Sequence, residues 1–208
     1  MKEIMSVLSN LYSTSGRKAK EEIIMRYKNN DKLKNVLEYS MSSDVVLGIS
    51  EKSFEKILDK SEFFYTPGQE SYLWTDDLDW SKSDGHFGSL KDIIEHILIQ
   101  PTPTPNNAVI ESIKNVFDDC NRVERYWFYR MFIQNLNIGV GPKLVNKVFG
   151  PLIHQYTPML ADSGIEKFDK WEPTDEYYVD TKIDGLRLTL FFTPDSIRVK
   201  TRSGKRFW

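Results

Sequence analysis

Lys182-Ile183-Asp184-Gly185-Leu186-Arg187 places an amine, a carboxylate and a guanidinium within six residues, with a glycine between them. An amine attacks only in its neutral form. A nucleophilic lysine therefore needs its pKa brought down from about 10.4 by desolvation or by nearby positive charge. Arg187 and, further on, Thr201-Arg202-Ser203-Gly204-Lys205 place cations where they could provide it. Asp-Gly between two alternating apolar segments is also the preferred two-residue hairpin turn, so the residues alone leave both readings open.

A second cluster lies upstream. Ile138-Gly139-Val140-Gly141-Pro142 separates two apolar segments. Such a loop can present backbone N–H groups at a helix N-terminus to a phosphate. It can equally be a tight interhelical turn whose glycines adopt positive φ. The run Arg17-Lys18-Ala19-Lys20 is basic, as is 196–208, which carries Arg198, Lys200, Arg202, Lys205 and Arg206 and no acid. By contrast, 51–84 holds nine acids against four lysines. Basic clusters on an otherwise acidic chain are candidate phosphate contacts.

Several chemistries are excluded. Gly204-Lys205 is no phosphate-binding P-loop, because Val199 and Arg206 stand where glycine and Ser/Thr are needed. Gly139-x-Gly141 is followed by Leu144 and follows no strand, which argues against a dinucleotide fold. His86, His96 and His154 have no ligand spacing and are expected on the surface or in loops. The one cysteine, Cys120, rules out a disulfide framework and any Cys-rich zinc site, and fits a reducing cytosol.

The elements that must position these residues change character along the chain. Ile4, Met5, Val7, Leu8, Leu11 and Tyr12 repeat at helical spacing. Ala19, Ile23, Ile24 and Tyr27 share a second helical side, and Leu33, Val36, Leu37 and Met41 a third. Ser50 can cap a helix carrying Phe54, Ile57 and Leu58. Ser89 with Asp92 resembles a capping box before Leu90, Ile93, Ile94, Ile97 and Leu98, a helix that Pro101, Pro103 and Pro105 end. Asn121 with Glu124 is a further capping signal, before Trp127, Phe128 and Met131. Beyond about residue 150 the pattern turns β-branched and aromatic, with strands expected over 177–183, 186–192 and 197–201 and a polar excursion over 162–174.

The 208 residues are 40% hydrophobic and 28% charged, which is too apolar for disorder and too charged for a membrane protein. With 28 Lys+Arg against 30 Asp+Glu the net charge is -2, so any basic surface must be local. No apolar run approaches the roughly 18–20 residues of a spanning helix, and the N-terminus lacks a signal-peptide core, so a cytoplasmic protein with no membrane partner is expected.

Three motifs read together resemble the opening of the adenylation domain of ATP-dependent DNA ligases. They are Thr157-Pro158-Met159-Leu160-Ala161, the Lys-x-Asp-Gly-x-Arg of 182–187, and the Thr-Arg-x-Gly turn of 201–204. Leu136-Asn137-Ile138-Gly139-Val140-Gly141 and Lys143-Leu144-Val145-Asn146-Lys147-Val148 resemble the helix–loop–helix that ends the helical DNA-binding domain of such enzymes. The bacteriophage-type enzymes are most similar, including Thr14-Ser15-Gly16-Arg17-Lys18 near the start. The resemblance implies an α+β protein. Residues 1–155 would be an all-α DNA-binding domain, and 156–208 the start of a β-rich nucleotidyltransferase (ATP-grasp-like) adenylation domain.

It also implies roles. Lys182 would attack the α-phosphorus of ATP, expel pyrophosphate and carry AMP to the 5′-phosphate of a nick, from which the adjacent 3′-OH would displace it, with Mg2+ screening the phosphates. Asp180, Thr181, Asp184, Gly185, Arg187 and Arg202 would bind ATP or AMP. Arg17, Lys18, Gly139, Gly141, Lys143 and Lys205 would contact nicked duplex DNA. The family's metal-binding acid, adenine-stacking aromatic and later lysines have no counterpart in the residues present, so the chain is expected to be inactive without a complementary C-terminal ligase fragment. RNA ligases and capping-type guanylyltransferases share the lysine motif, and a non-catalytic helical DNA-binding module is the other alternative.

Overall fold

Four of the described helices begin where a side chain satisfies orphan N–H groups of the first turn. In the computed structural model, which describes residues 1–58, 78–100, 105–153, 181, 185–194, 196–201 and 206–207, Asn30 accepts from the Leu33 N–H to start α3 (Asp31–Met41). Ser50 accepts from Ser53 ahead of α4 (Glu51–Ile57), and Asn106 from Val109 ahead of α6 (Asn107–Asp119). The Asn121–Glu124 signal forms a complete capping box at the start of α7 (Arg122–Phe132): the Asn121 side chain accepts from the Glu124 N–H at 3.1 Å, and Glu124 Oε2 accepts from the Asn121 N–H at 2.9 Å.

The remaining helices are α1 (Lys2–Ser13), α2 (Arg17–Arg26), α5 (Ser83–Ile99) and α8 (Pro142–Phe149). The apolar stripes meet as expected: Ile4, Leu8 and Leu11 of α1, Leu33 and Leu37 of α3, Leu90 and Ile94 of α5, and Trp127, Phe128 and Met131 of α7 are all buried. At the centre, the Phe54 ring stands 5.3 Å from Phe117 and 5.6 Å from Phe132. Offset and edge-on ring packing of this kind adds about 0.5–1.5 kcal/mol per pair beyond simple burial.

Two helical expectations are corrected. Ser89 caps nothing: α5 begins six residues earlier, at Ser83, so Ser89 lies inside the helix. Burial of His86, Phe87 and Leu90 on one face carries the helix through Gly85 and Gly88 despite their poor propensity. On α2, Ala19 is exposed and Lys20 takes the inward position with Ile24. The C-terminal end of α5 is as expected, at Ile99 before the proline run.

The chain divides into two compact units, Met1–Gln155 and Tyr156–Phe207. The described part of the second is a three-stranded antiparallel sheet, β1 (Leu188–Thr193), β2 (Ser196–Thr201) and β3 (Arg206–Phe207), in the order β1-β2-β3. The chain is thus α+β in the loose sense of helices followed by a small sheet. Thr193 pairs with Ser196, and the register runs back from there to Leu188↔Thr201. The first strand starts two residues later than its apolar run suggests, and a short strand at Arg206–Phe207 follows for which the residues give no strand signal. Of the strand expected over 177–183 only Thr181 is described, and the excursion over 162–174 lies outside the described residues. No helix among the described residues is long and apolar enough to cross a membrane.

Candidate functional site

The connection from α7 to α8 is a strap with alternate residues turned inward. Leu136, Ile138 and Val140 are buried, while Asn135, Asn137, Gly139 and Gly141 are exposed. Three of its backbone angles are left-handed, at Gln134 (φ 55), Asn137 (φ 53) and Gly139 (φ 63). Gln134 is held there by donating from Nε2 to the Val45 carbonyl at 2.7 Å. Gly141 is extended (φ -105) and serves as the N-cap of α8, with Pro142 in its first turn. Of the two glycines, only Gly139 therefore meets the positive-φ requirement.

Gly139 has a second reason to lack a side chain. Lys20 reaches across from α2 and donates from Nζ to the Ile138 carbonyl at 2.6 Å. A Cβ on Gly139 would fall inside contact distance of that ammonium. Lys20 is only 9% exposed, and this carbonyl is its one hydrogen-bond partner among the described residues, with no carboxylate paired to it. A buried ammonium with two unused donors and no counter-ion favours an anion nearby.

The same lysine draws the basic start of α2 to the glycine strap. Arg17 and Lys18, both exposed, occupy the first turn of α2, and Lys143 is exposed in the first turn of α8. Neither first turn contains an acid, although acids are what a helix N-terminus ordinarily favours. An ion pair between Lys147 and Glu21 further joins the two helices, and a groove of about 560 Å³ runs between them, lined by the acids Glu21 and Glu22 as well as by Lys18, Arg26 and Lys147. The strap and both basic turns thus form one cationic feature with exposed backbone at its centre, suited to a phosphate diester.

By residue type Lys20 belongs to a basic run and Ala19 to the inward side of α2, whereas the structure buries Lys20 and exposes Ala19. The signal that could have found it is its spacing: Lys20 and Ile24 stand one turn apart on the face that packs.

In the second unit, Thr181, Gly185 and Arg187 are exposed, with Arg187 just ahead of β1. Open space surrounds Gly185, so nothing packed there demands a glycine. Lys182, Asp180, Asp184, Arg202 and Lys205 lie outside the described residues. Among the basic residues of β2, Arg198 is exposed, whereas Lys200 is 8% exposed and removed from solvent. Phe192, Ile197 and Leu190 are 70%, 63% and 49% exposed, and the register places all three on one face.

The expectation for the histidines needs one correction. His96 is exposed on α5, and His154 lies outside the described residues. His86 is neither on the surface nor in a loop. It is buried in the first turn of α5, with Nδ1 3.2 Å from Glu124 Oε1 and Nε2 3.2 Å from Asp119 Oδ2.

No protein-family model matches the chain, and no curated protein matches it in sequence.

Proposed function

We propose that the chain is the N-terminal portion of an ATP-dependent DNA ligase, whose helical unit grips a nicked duplex while Lys182 serves as the nucleophile toward ATP. The observation that carries this reading is the strap at Gly139, held open by Lys20 and flanked by Arg17, Lys18 and Lys143. Phosphate contacts of this kind fix a protein on the duplex without reading its sequence, as an enzyme acting on any nick requires. The ligase resemblance of 182–187 and 201–204 supplies the chemistry: a lysine nucleophile with arginines near it in the sequence, ATP as substrate and Mg2+ as the metal. Arg187 and Arg202 would hold phosphate oxygens through their planar guanidinium groups.

A gel-shift titration on nicked duplex DNA at increasing salt tests the binding half. Binding is expected to weaken with salt, and Lys143→Ala to lower the slope of log K against log salt by about 0.9. Lys182→Ala should leave binding unchanged. Failure to shift nicked duplex even at low salt would refute the reading. Incubation with α-labelled ATP, magnesium and a complementary C-terminal ligase fragment tests the chemical half, with a covalent label on this chain that Lys182→Ala removes as the signature. A non-catalytic DNA-binding module is the second reading, favoured because every residue of the cationic feature belongs to the helical unit. It predicts the same gel shifts and no label with or without a complementary C-terminal ligase fragment.

A further inference from the structure

The corner where α5, α6 and α7 meet contains a group of donors that the DNA-binding reading does not use. His86 is in the first turn of α5, Cys120 is the C-cap of α6, and Glu124 is in the first turn of α7. All three are buried, Glu124 completely, and one ligand atom from each lies within 4.8 Å of the others. We propose that His86 Nδ1, Cys120 Sγ and Glu124 Oε1 bind a single zinc ion that staples the three helices together.

The distances suit the ion. Around tetrahedral zinc, with bonds of about 2.0–2.3 Å, ligand atoms stand about 3.3–3.6 Å apart. The Nδ1-to-Oε1 separation of 3.2 Å already matches that edge. The sulfur, inside the 4.8 Å limit, needs at most a side-chain adjustment of about 1 Å to meet the same zinc geometry.

The outer contacts are those that metal ligands ordinarily have. The far nitrogen of His86, Nε2, faces Asp119 Oδ2 at 3.2 Å, which sets the ring so that Nδ1 points at the ion. The second oxygen of Glu124 accepts the Asn121 N–H at 2.9 Å, which orients the carboxylate. Three protein ligands leave the fourth tetrahedral position to a water.

Charge and hardness narrow the choice of metal. One thiolate, one imidazole and one carboxylate form a borderline set that suits zinc and excludes magnesium and calcium, which take oxygen ligands. Zn2+ with a thiolate and a carboxylate is electrically neutral, so the buried Glu124 charge is compensated. Lys82, 3.1 Å from Asp119 Oδ2, balances the outer carboxylate. Binding forms Zn–N, Zn–S and Zn–O bonds and releases the thiol proton to solvent, together with the Nδ1 proton of any imidazolium. The His86 side chain, 11% exposed beside a 54% exposed Asp119, leaves a path for entry.

The test uses the untagged full-length chain, stripped with a chelator and titrated with Co2+ as a spectroscopic substitute for zinc. Thiolate-to-cobalt charge-transfer absorption saturating at one equivalent, and displaced by zinc, is the expected result. Because Cys120 is the chain's one cysteine, that band can come from no other residue. Cys120→Ser should abolish it, and Asp119→Asn should weaken zinc affinity about 10–100-fold. If Cys120→Ser fails to fold, the wild-type spectrum still decides. A helical, soluble wild-type chain that gives no charge-transfer band would overturn the proposal, as would a band that persists in Cys120→Ser.

Discussion

Replacing Gly139 with alanine tests whether the strap is as constrained as its geometry indicates. Two costs add. An L-residue at φ 63 loses about 1–2 kcal/mol to left-handed strain. The new methyl also displaces the Lys20 ammonium from the Ile138 carbonyl, a charged hydrogen bond whose full loss is about 1.5–3 kcal/mol. Part of that second cost is recovered, because Nζ is the end of a flexible side chain. The sum is about 2–4 kcal/mol. For a unit of this size each kcal/mol lowers Tm by about 2–4 °C, so a fall of about 5–15 °C is expected by circular dichroism. Gly141→Ala is the internal control: its backbone is extended and nothing lies within 4 Å, so the loss of a good N-cap and the gain from a stiffer unfolded chain, each about 0.5–1 kcal/mol, should nearly cancel. Lys20→Met then completes a double-mutant cycle with Gly139→Ala, with an expected coupling of about 0.5–3 kcal/mol. A Gly139→Ala protein as stable as wild type, or zero coupling to Lys20, would refute the account.

Three further expectations follow from particular contacts. Asn121→Ala removes the side-chain half of the α7 capping box and should cost about 1 kcal/mol, measured as a lower urea midpoint at unchanged slope. Asp84 accepts from Lys32 and from the Met1 amino group, which hold its carboxyl down to about 2 from 3.8. Between roughly pH 4 and 2 the folded state then binds fewer protons than the unfolded one. Stability should therefore decline as pH falls through that window, by about 0.5–1 kcal/mol at this 62% exposed group, and Asp84→Asn should flatten the profile. Burial, reinforced by the neighbouring Glu124 carboxylate, pushes the Cys120 thiol well above its ordinary range. The metal-free native protein at neutral pH should thus resist thiol reagents that modify the denatured chain at once.

What could be read from the residues was whatever depends on local spacing. The faces of α1, α3 and α7, the caps at Ser50 and Asn121, and the proline stop after α5 follow from rules that span a few residues. Errors arose where a distant contact outweighed the local rule. Ser89–Asp92 has the letters of a capping box, yet packing of His86 and Phe87 extends α5 past it. Ala19 fits the apolar side of α2 by residue type, but the carbonyl that Lys20 satisfies belongs to Ile138, 118 residues away. His86, Cys120 and Glu124 have no ligand spacing because three separate helices contribute them, so only the fold brings them within reach of each other.

Lys20 shows why the two halves of the basic feature should be treated as one unit. Taken separately, Arg17-Lys18 and the Gly139 strap are a charged helix start and a turn, each common and neither specific. Joined by a buried ammonium, they become mutually dependent: the strap keeps its shape only while Lys20 stays inward, and Lys20 stays inward only where Gly139 leaves room. An ammonium placed there without a carboxylate costs stability. That cost is offset when an anion docks against the exposed backbone of Gly139 and Gly141, so anion binding should stabilise the helical unit by mass action. Inorganic phosphate or a short duplex should raise Tm in wild type more than in Lys20→Met. Equal shifts in the two proteins would show that Lys20 only braces the turn.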